Sequence, residues 1–449
     1  MALADDPPPA LVDNLLAVQL LSHVRFHIAA VLAQVSVSWR DAILHFFSEQ
    51  RTISIVAKKS DNDWLEAWDR PCLDYVTLVA NVPLCTCVEL LWWTVDEPML
   101  KSFASWSHLK ELLLETCSGI TDDGLHALQP LCPRLEKLSL WASARMTTAA
   151  LCGTLGVCNN LRATTLNLQR YTQMLRHDHT SRARIDGRRV VECIAALPLL
   201  CHVALYELEP LNSVDAAADA QAATIADAHG SDGEGPPMLD ALAKSKALTR
   251  FKIAECLKAT ARDLASFGGC PSLTLLDWGA RSSREAIEAL CCGCPRLLDL
   301  TLNEESFPID PRAVEAIARH CPRLTALDLA ENRELDDEGV LVLCGRLPSG
   351  APDPTGAGCP ELRRLNLSLT DDYEDYDVIT VRSRISNRSI GCLCDPRVLP
   401  QLQCLNVRGR LPHVCGDVRL LSDLRMSHLY TVQRARRPQL NLQPEPTPP

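Results

Sequence analysis

Aromatic residues and long apolar segments are both scarce in this sequence. Phe, Trp and Tyr together make 5% of the chain, whereas residues of hydrophobic type make 47%. The core must therefore consist mainly of Leu, Val, Ala and Ile, and 449 residues are enough to bury a large one. No apolar run approaches the roughly 20 residues that a membrane-spanning helix needs, so a membrane is not expected as a partner.

An export signal and a surplus of positive charge are also missing. The first ten residues include Asp5, Asp6 and three prolines, whereas a signal peptide needs a basic segment followed by an apolar one. We therefore expect a cytoplasmic and/or nuclear location, in which the 21 cysteines remain thiols. The net charge of −11 would repel nucleic-acid phosphates, so no nucleic-acid partner is expected.

Sequence motifs of catalysis and metal binding are absent as well. The chain has no P-loop, no H-E-x-x-H segment and no pair of C-x-x-C doublets with zinc spacing. Close cysteines at Cys85-x-Cys87, Cys291-Cys292-x-Cys294 and Cys392-x-Cys394 are interpreted as core thiols. A Cys–His nucleophile stays open, although no local signature of such enzymes occurs. The sequence predicts a non-enzymatic binding protein with no catalytic residue, metal or cofactor.

A short leucine pattern recurs along most of the chain. Its form is Leu-x-x-Leu-x-Leu, and uninterrupted copies begin 24 to 27 residues apart, the period of leucine-rich repeats. A weaker copy, Leu161-Leu166-Leu168, carries two extra residues. The clear copies are Leu109-Leu112-Leu114, Leu135-Leu138-Leu140, Leu248-Phe251-Ile253, Leu273-Leu276-Trp278, Leu297-Leu300-Leu302, Leu324-Leu327-Leu329, Leu362-Leu365-Leu367 and Leu402-Leu405-Val407.

Helix-start and helix-end signals follow the strand pattern. Thr121, Asp336 and Ser386 precede short apolar segments, and their side-chain oxygens can accept hydrogen bonds from a first helical turn. Units then close with Cys-Pro, as at Cys132-Pro133 and Cys294-Pro295. Proline ends the helix, and we expect the cysteine to be buried at the corner before the next strand.

This unit resembles the cysteine-containing leucine-rich repeats that are common in F-box proteins of ubiquitin ligases. The resemblance covers roughly residues 85–426. It implies an α/β leucine-rich-repeat solenoid, a horseshoe with parallel strands on the concave face and helices outside. Where the period is stretched, inserted loops are predicted at about 169–190, 209–237, 345–358 and 369–384.

The first fifty residues resemble an F-box. Segments 11–16, 21–24 and 35–40 fall at that family's spacings, although Val12 replaces the usual proline and Ser36 the common cysteine. The resemblance implies a small all-α domain that docks on a Skp-type adaptor and through it on a cullin. The alternative is a helical cap over the first repeat, which solenoids also need. The implied adaptor-binding residues are Leu11, Leu15, Leu16, Leu20, Val35 and Trp39.

The chain is therefore predicted to have five segments. A disordered N-terminus at 1–10 precedes the F-box-like helical domain at 11–50 and a connecting region of partial repeats at 51–84. The repeat domain follows at 85–430, and a disordered Pro-rich tail is predicted at 431–449.

Residues between the repeated leucines predict the binding face, because successive side chains of a strand point to opposite sides. Acidic residues dominate these positions in the middle repeats and basic residues in the last two. Trp141 is the preferred anchor, since interface hot spots are enriched in Trp and Arg; packing under an adjacent loop is the alternative. The predicted substrate-binding residues are Lys137, Trp141, Asp299, Asn303, Arg364, Asn366 and Arg408.

Together these features predict the substrate-recognition subunit of a Skp–cullin–F-box type E3 ubiquitin ligase. The F-box would dock on the adaptor, and the repeats would bind the protein substrate that is to be ubiquitinated for proteasomal degradation. The alternative is a non-ligase leucine-rich-repeat scaffold or regulatory protein-binding module.

Overall fold

The computed structural model describes a large part of the repeat region. The F-box-like segment at 11–50 and the tail at 431–449 lie outside the described residues. Two compact units divide the chain, unit 1 ending at Leu302 and unit 2 beginning at Asn303. The described residues are 52–56, 84–91, 95–115, 117, 119–141, 145–168, 185–207, 237–254, 256, 259–280, 282–302, 309–368 and 385–407.

In unit 1, the described strands pair in parallel and in chain order. They are β1 Thr52–Val56, β2 Cys87–Leu91, β3 Glu111–Glu115, β4 Lys137–Trp141, β5 Ala163–Asn167, β6 His202–Tyr206, β7 Arg250–Ala254, β8 Leu275–Gly279 and β9 Asp299–Leu302. A helix separates each strand from the next after β2. These helices are α1 Glu97–Ala104, α2 Asp122–Leu128, α3 Thr148–Leu155, α4 Gly187–Ala195, α5 Asp240–Ala243, α6 Ala261–Ser266 and α7 Arg284–Gly293.

Unit 2 repeats the same arrangement with shorter strands. Its strands β10 Ala326–Asp328, β11 Arg364–Asn366 and β12 Cys404–Asn406 are parallel and pair in chain order. The helices of its described part are α8 Pro311–His320, α9 Asp337–Leu343 and α10 Asn387–Leu393.

The leucine pattern forms the interior of the repeats. Leu112 of β3 pairs in register with Leu138 of β4, and both are 1% exposed or less. The neighbouring pattern residues Leu109 and Leu114 are also fully buried. Burial of such aliphatic side chains, at about 25 cal/mol per Å² of apolar surface, is the main favourable term in folding. The fold is an α/β leucine-rich-repeat solenoid, as the period predicts.

The Cys-Pro corners are confirmed. Each of the five cysteines is fully buried, and the thiol of Cys294 donates to the carbonyl of Phe267 in the preceding repeat at 3.1 Å. The prediction of core thiols is wrong for Cys292, which is exposed near the end of α7, and for Cys87 and Cys392, which are only half-buried. The buried corner cysteines are Cys132, Cys270, Cys294, Cys321 and Cys359.

The predicted helix caps are confirmed as well. Thr121 accepts a hydrogen bond from the backbone N–H of Gly124 at 3.2 Å, and Asp336 accepts one from Gly339 at 3.1 Å. The hydroxyl of Ser386 accepts from the N–H of Arg388 at 3.3 Å. Each cap satisfies an N–H group that the helix itself leaves unpaired, and typically stabilises it by about 1 kcal/mol.

One repeat is more regular than its leucines suggest. The copy Leu161-Leu166-Leu168 has no extra residues, because Thr164 takes the position of the middle leucine and pairs in register with Leu138. Thr164 is 3% exposed, and its hydroxyl donates to the carbonyl of Leu138 at 3.2 Å. That hydrogen bond removes the cost of burying a polar group at an apolar position.

Strand β1 pairs with β2, so part of the segment 51–84, which is predicted to hold partial repeats, belongs to the repeat sheet. One loop boundary differs from expectation. Helix α4 begins at Gly187, inside the loop predicted at 169–190, because Asp186 caps it by accepting from the N–H of Arg188 at 3.1 Å.

Candidate functional site

The candidate site is the side of the unit 1 sheet that does not carry the buried leucines. We call it the strand face and define it by the residues at the first, third and fifth positions of strands β2–β9. These positions alternate with buried ones, as in β6, where Val203 and Leu205 are buried and the residues between them are partly exposed. The charged and aromatic residues of the strand face are Glu89, Glu111, Glu115, Lys137, Trp141, His202, Tyr206, Arg250, Lys252, Asp277 and Asp299.

Positive charge lies in the middle of the strand face. The parallel register places Lys137, His202 and Arg250 in one row across β4, β6 and β7, and Lys252 stands two residues beyond Arg250. We call these four residues the basic strip. Adjacent strands are about 4.8 Å apart, so the row from Lys137 to Arg250 spans roughly 14 Å.

Acidic residues lie on both sides of the basic strip. Glu89, Glu111 and Glu115 belong to β2 and β3, and Asp277 and Asp299 belong to β8 and β9. The strand face thus changes sign twice along the sheet, from acidic to basic and back to acidic.

The basic strip is connected to its acidic border at one point. Lys252 Nζ lies 2.7 Å from Asp277 Oδ2 and 5.6 Å from the centroid of the Tyr206 ring. Burial lowers the pKa of Lys252, but the hydrogen bond and charge of Asp277 outweigh it, and the pKa is raised overall. This ammonium group therefore stays charged and fixed against an aromatic ring.

Lys137 and Arg250 differ from Lys252 in their surroundings. Among the described residues, neither has a carboxylate within ion-pair distance. Their charge acts on His202, whose pKa is lowered by burial, by Arg250 and by Lys137. The lowered pKa favours the uncharged imidazole at neutral pH, so Lys137 and Arg250 carry the positive charge of this row.

The thiol on the strand face is not a nucleophile at neutral pH. Burial and the neighbouring carboxylate of Glu111 raise the pKa of Cys87 to about 11. The thiolate is the reactive form, so Cys87 is largely inert. In the part of the chain that the structure describes, no group of three or more His, Cys, Asp or Glu residues has metal-binding geometry.

Three of the sequence-predicted residues lie on the strand face, but they are far apart. Lys137 and Asp299 share a row five strand spacings long, about 24 Å at 4.8 Å each. Trp141 ends β4, is partly exposed and lies in the row of Tyr206, two strands away. Asn303 and Arg408 lie outside the described residues.

The sequence analysis missed most of the basic strip. His202, Arg250 and Lys252, together with Tyr206, stand on strands next to the two longest insertions, where the repeat period is interrupted. The alternation that selected Lys137 selects these residues too, once β6 and β7 are placed beside β5 in the sheet.

In unit 2, the two predicted residues have different environments. Arg364 is exposed on β11, in register with the exposed Cys404. Asn366 donates to Asp328 Oδ2 at 2.9 Å and accepts from the Ser368 hydroxyl at 2.9 Å. Asn366 is thus part of a hydrogen-bond network along the strand ends, whereas the side chain of Arg364 is exposed.

Comparison with known proteins identifies the fold. No family model and no curated protein matches the chain. A solved structure of the Rad7 and Elc1 complex in yeast is similar with a TM-score of 0.51 and 16% identity, covering 88% of this chain and 87% of that one. An internalin from Listeria monocytogenes is similar with a TM-score of 0.39 and 15% identity, covering 82% and 95%. The first similarity is one of fold and agrees with the repeat architecture. No described helix has both the length and the apolar character needed to cross a bilayer.

Proposed function

We propose that this chain is the substrate-recognition subunit of a Skp–cullin–F-box type E3 ubiquitin ligase. In this proposal, residues 11–50 dock on the adaptor and the strand face of unit 1 holds the protein to be ubiquitinated. The chain itself contributes no catalytic group. It raises the local concentration of a substrate lysine near the ubiquitin-transferring enzyme.

The observation that carries the binding half of the proposal is the strand face. It presents charges of both signs and two aromatic side chains, Trp141 and Tyr206, on a rigid parallel sheet. Aromatic and Arg residues are the residue types on which protein interfaces mostly depend, and mixed charge gives selectivity between partners. A small-molecule enzyme would instead need convergent reactive groups, whereas the described face is open and its one thiol, Cys87, is protonated.

The ligase half of the proposal is supported by the F-box resemblance of residues 11–50 upstream of cysteine-type repeats. The yeast structure of similar fold is a complex of Rad7 with Elc1, so a protein of this fold does assemble with another protein. The competing proposal is a scaffold or regulatory module, in which residues 11–50 only cap the repeats. The strand face is compatible with both, and only the partner of the N-terminal segment separates them.

The test is affinity purification of the full chain from cells, with and without proteasome inhibition, followed by mass spectrometry. We expect a Skp-type adaptor and a cullin with the wild-type chain, and their loss with Leu15→Asp or Trp39→Ala. The matched control is Leu199→Asp, since Leu199 is 43% exposed in the repeats and tolerates a charge. If the wild-type chain retains no cullin, the ligase proposal is wrong and the scaffold remains.

A further inference from the structure

We propose that the basic strip of the strand face binds an extended acidic segment of the partner protein, a run of carboxylate side chains flanked on both sides by basic residues. This inference rests on the proposed function, because it assumes that the strand face is the recognition surface. It goes further by naming the chemistry of the segment that is recognised.

The positive charges of Lys137 and Arg250 favour an acidic partner. Lys137 and Arg250 have no carboxylate within ion-pair distance among the described residues, although acidic residues border the strip on both sides. Positive side chains held on a rigid sheet at partial exposure attract carboxylates, and hydrogen bonds from Arg to a carboxylate are among the stronger ones at surfaces.

The length of the basic strip fits a short segment of a partner protein. Lys137, His202 and Arg250 lie in one row about 14 Å long across four strands. An extended peptide advances about 3.3 Å per residue, so about four residues cross the row when the peptide runs perpendicular to the strands. This is long enough for a short acidic run and too short for a long polyanion.

Acidic residues border the basic strip on both sides. Beyond the strip, the peptide meets Glu111 and Glu115 on one side and Asp299 on the other. These carboxylates repel a continued acidic run and favour Lys or Arg in the flanking positions. The same borders act against nucleic acid, whose backbone is negative along its whole length.

Two aromatic residues lie beside the basic strip. Trp141 and Tyr206 share the row at the C-terminal ends of β4 and β6, beside the strip. They offer apolar surface to the aliphatic parts of the side chains that bind at the strip. The surface is therefore suited to a peptide more than to an isolated anion.

The probe for this inference is a fluorescein-labelled peptide with about four glutamates in its centre and two lysines on each side, matched to the length of the strip. Anisotropy titrations use the full chain. We expect Arg250→Glu and Lys137→Glu each to weaken binding by about tenfold. Arg250→Gln is a milder change and should also weaken binding of the peptide. The matched control is Arg296→Glu, because Arg296 is exposed between α7 and β9, off the strand face, and should not alter binding.

Two further probes separate the possible ligands. A charge-swapped peptide with a lysine centre and glutamate flanks should bind at least tenfold more weakly than the first peptide. Equal binding of the two peptides overturns the inference, as does unchanged binding to Arg250→Glu. The inference is also overturned if only a phosphoserine version of the peptide binds, or if single-stranded RNA of similar length binds more tightly than the peptide. It is likewise overturned if the chain self-associates through the basic strip, so that the strip is covered by a second copy.

The peptide-binding test and the test of the ligase proposal can fail independently of each other. If the cullin co-purifies but the acidic peptide does not bind, the inference is wrong and the proposed function stands. If the peptide binds in a strip-dependent way but no cullin is retained, the ligase proposal is wrong and the acidic-segment site stands.

Discussion

At the scale of single residues, the thiols are packing groups. Cys270 donates to the carbonyl of Ala243 at 3.1 Å, and burial raises its pKa to about 11. Burial, and to a lesser extent the neighbouring Cys321, raises the pKa of Cys359 to about 12. A thiol fits where a helix turns tightly into the next strand, since it is small, apolar and still able to donate weakly to a backbone carbonyl.

Asp337 joins two repeats of unit 2. Its carboxylate accepts from the backbone N–H of Ser386 at 2.7 Å and from the hydroxyl of Ser389, so it connects the start of α9 to the start of α10. Burial alone would raise the pKa of Asp337, but the hydrogen bonds from Ser386 and Ser389 and the charge of Arg388 lower it below its ordinary value of 3.8.

This lowered pKa predicts that Asp337 contributes to the free energy of unfolding at neutral pH and that the contribution is lost in acid. Because the folded pKa lies below the unfolded one, the contribution is complete above about pH 4 and disappears as pH falls through the folded pKa. We expect Asp337→Asn to lower the free energy of unfolding by about 1 kcal/mol at pH 7, the size of a typical net hydrogen bond. Urea unfolding of the wild-type and variant chains at several pH values measures the difference.

The matched control for Asp337→Asn is Glu338→Gln, which removes the same charge from an exposed position of the same helix. Its effect on unfolding should be small and nearly independent of pH, as for most surface charges. A stability gap between wild type and Asp337→Asn that is as large at pH 3 as at pH 7 contradicts the assignment.

At the scale of elements, glycine sets how closely helices approach. A Cβ on Gly293 of α7 would lie 1.8 Å from the carbonyl oxygen of Gly268, in the short 3₁₀ helix Phe267–Gly269 of the preceding repeat. A Cβ on Gly268 would in turn lie 2.5 Å from the carbonyl oxygen of Ala289. These contacts involve backbone atoms, so the two repeats stack closely only because neither glycine has a side chain.

We therefore expect Gly293→Ala to destabilise unit 1 by about 1–3 kcal/mol, the usual cost of overpacking. The control is Gly153→Ala in α3, where the added Cβ meets only Gln129 Nε2 at 3.9 Å. That change should be neutral or stabilise by up to about 1 kcal/mol, because alanine is the better helix former. Thermal unfolding compares the two variants, and equal melting temperatures would contradict the close approach.

Elements could be predicted from the sequence where one type of side chain is characteristic of a position, such as a helix cap or a helix-to-strand corner. The caps at Thr121 and Asp336 and the corners at Cys132 and Cys294 follow from local chemistry, and the structure confirms them. Thr164 was not recognised as a core position, because its burial depends on a carbonyl that a neighbouring strand supplies. The approach of α7 to the 3₁₀ helix was likewise not predictable, since it is a distance between two repeats.

At the scale of the whole molecule, the strand face depends on which strands are neighbours. His202 and Arg250 are 48 residues apart in the chain but lie on adjacent strands. The insertion predicted at about 209–237 lies between them and hides this adjacency in the sequence. The charge of the basic strip becomes apparent only when β4 to β7 are placed side by side. The sequence predicts a strand face with charged and aromatic residues, including Lys137 and Trp141, but not which strands bring the basic residues side by side.

Each described strand of unit 1 pairs with its neighbours in the chain, from β1 to β9. In such a stack, stability is close to a sum of terms for individual repeats and for nearest-neighbour interfaces. A local defect should therefore loosen the repeats beside it before it affects distant ones.

The pair of variants Leu112→Ala in β3 and Leu300→Ala in β9 tests this locality. Both leucines are fully buried in the same pattern position, and each truncation should cost about 2–5 kcal/mol. Hydrogen exchange followed by mass spectrometry should show faster exchange mainly in β2–β4 for Leu112→Ala and mainly in β8 and β9 for Leu300→Ala. The two variants serve as controls for each other, because they remove the same atoms at opposite ends of the described sheet of unit 1. Equal acceleration from β2 to β9 in both variants would mean that unit 1 opens as a single cooperative block, and nearest-neighbour coupling would then not describe it.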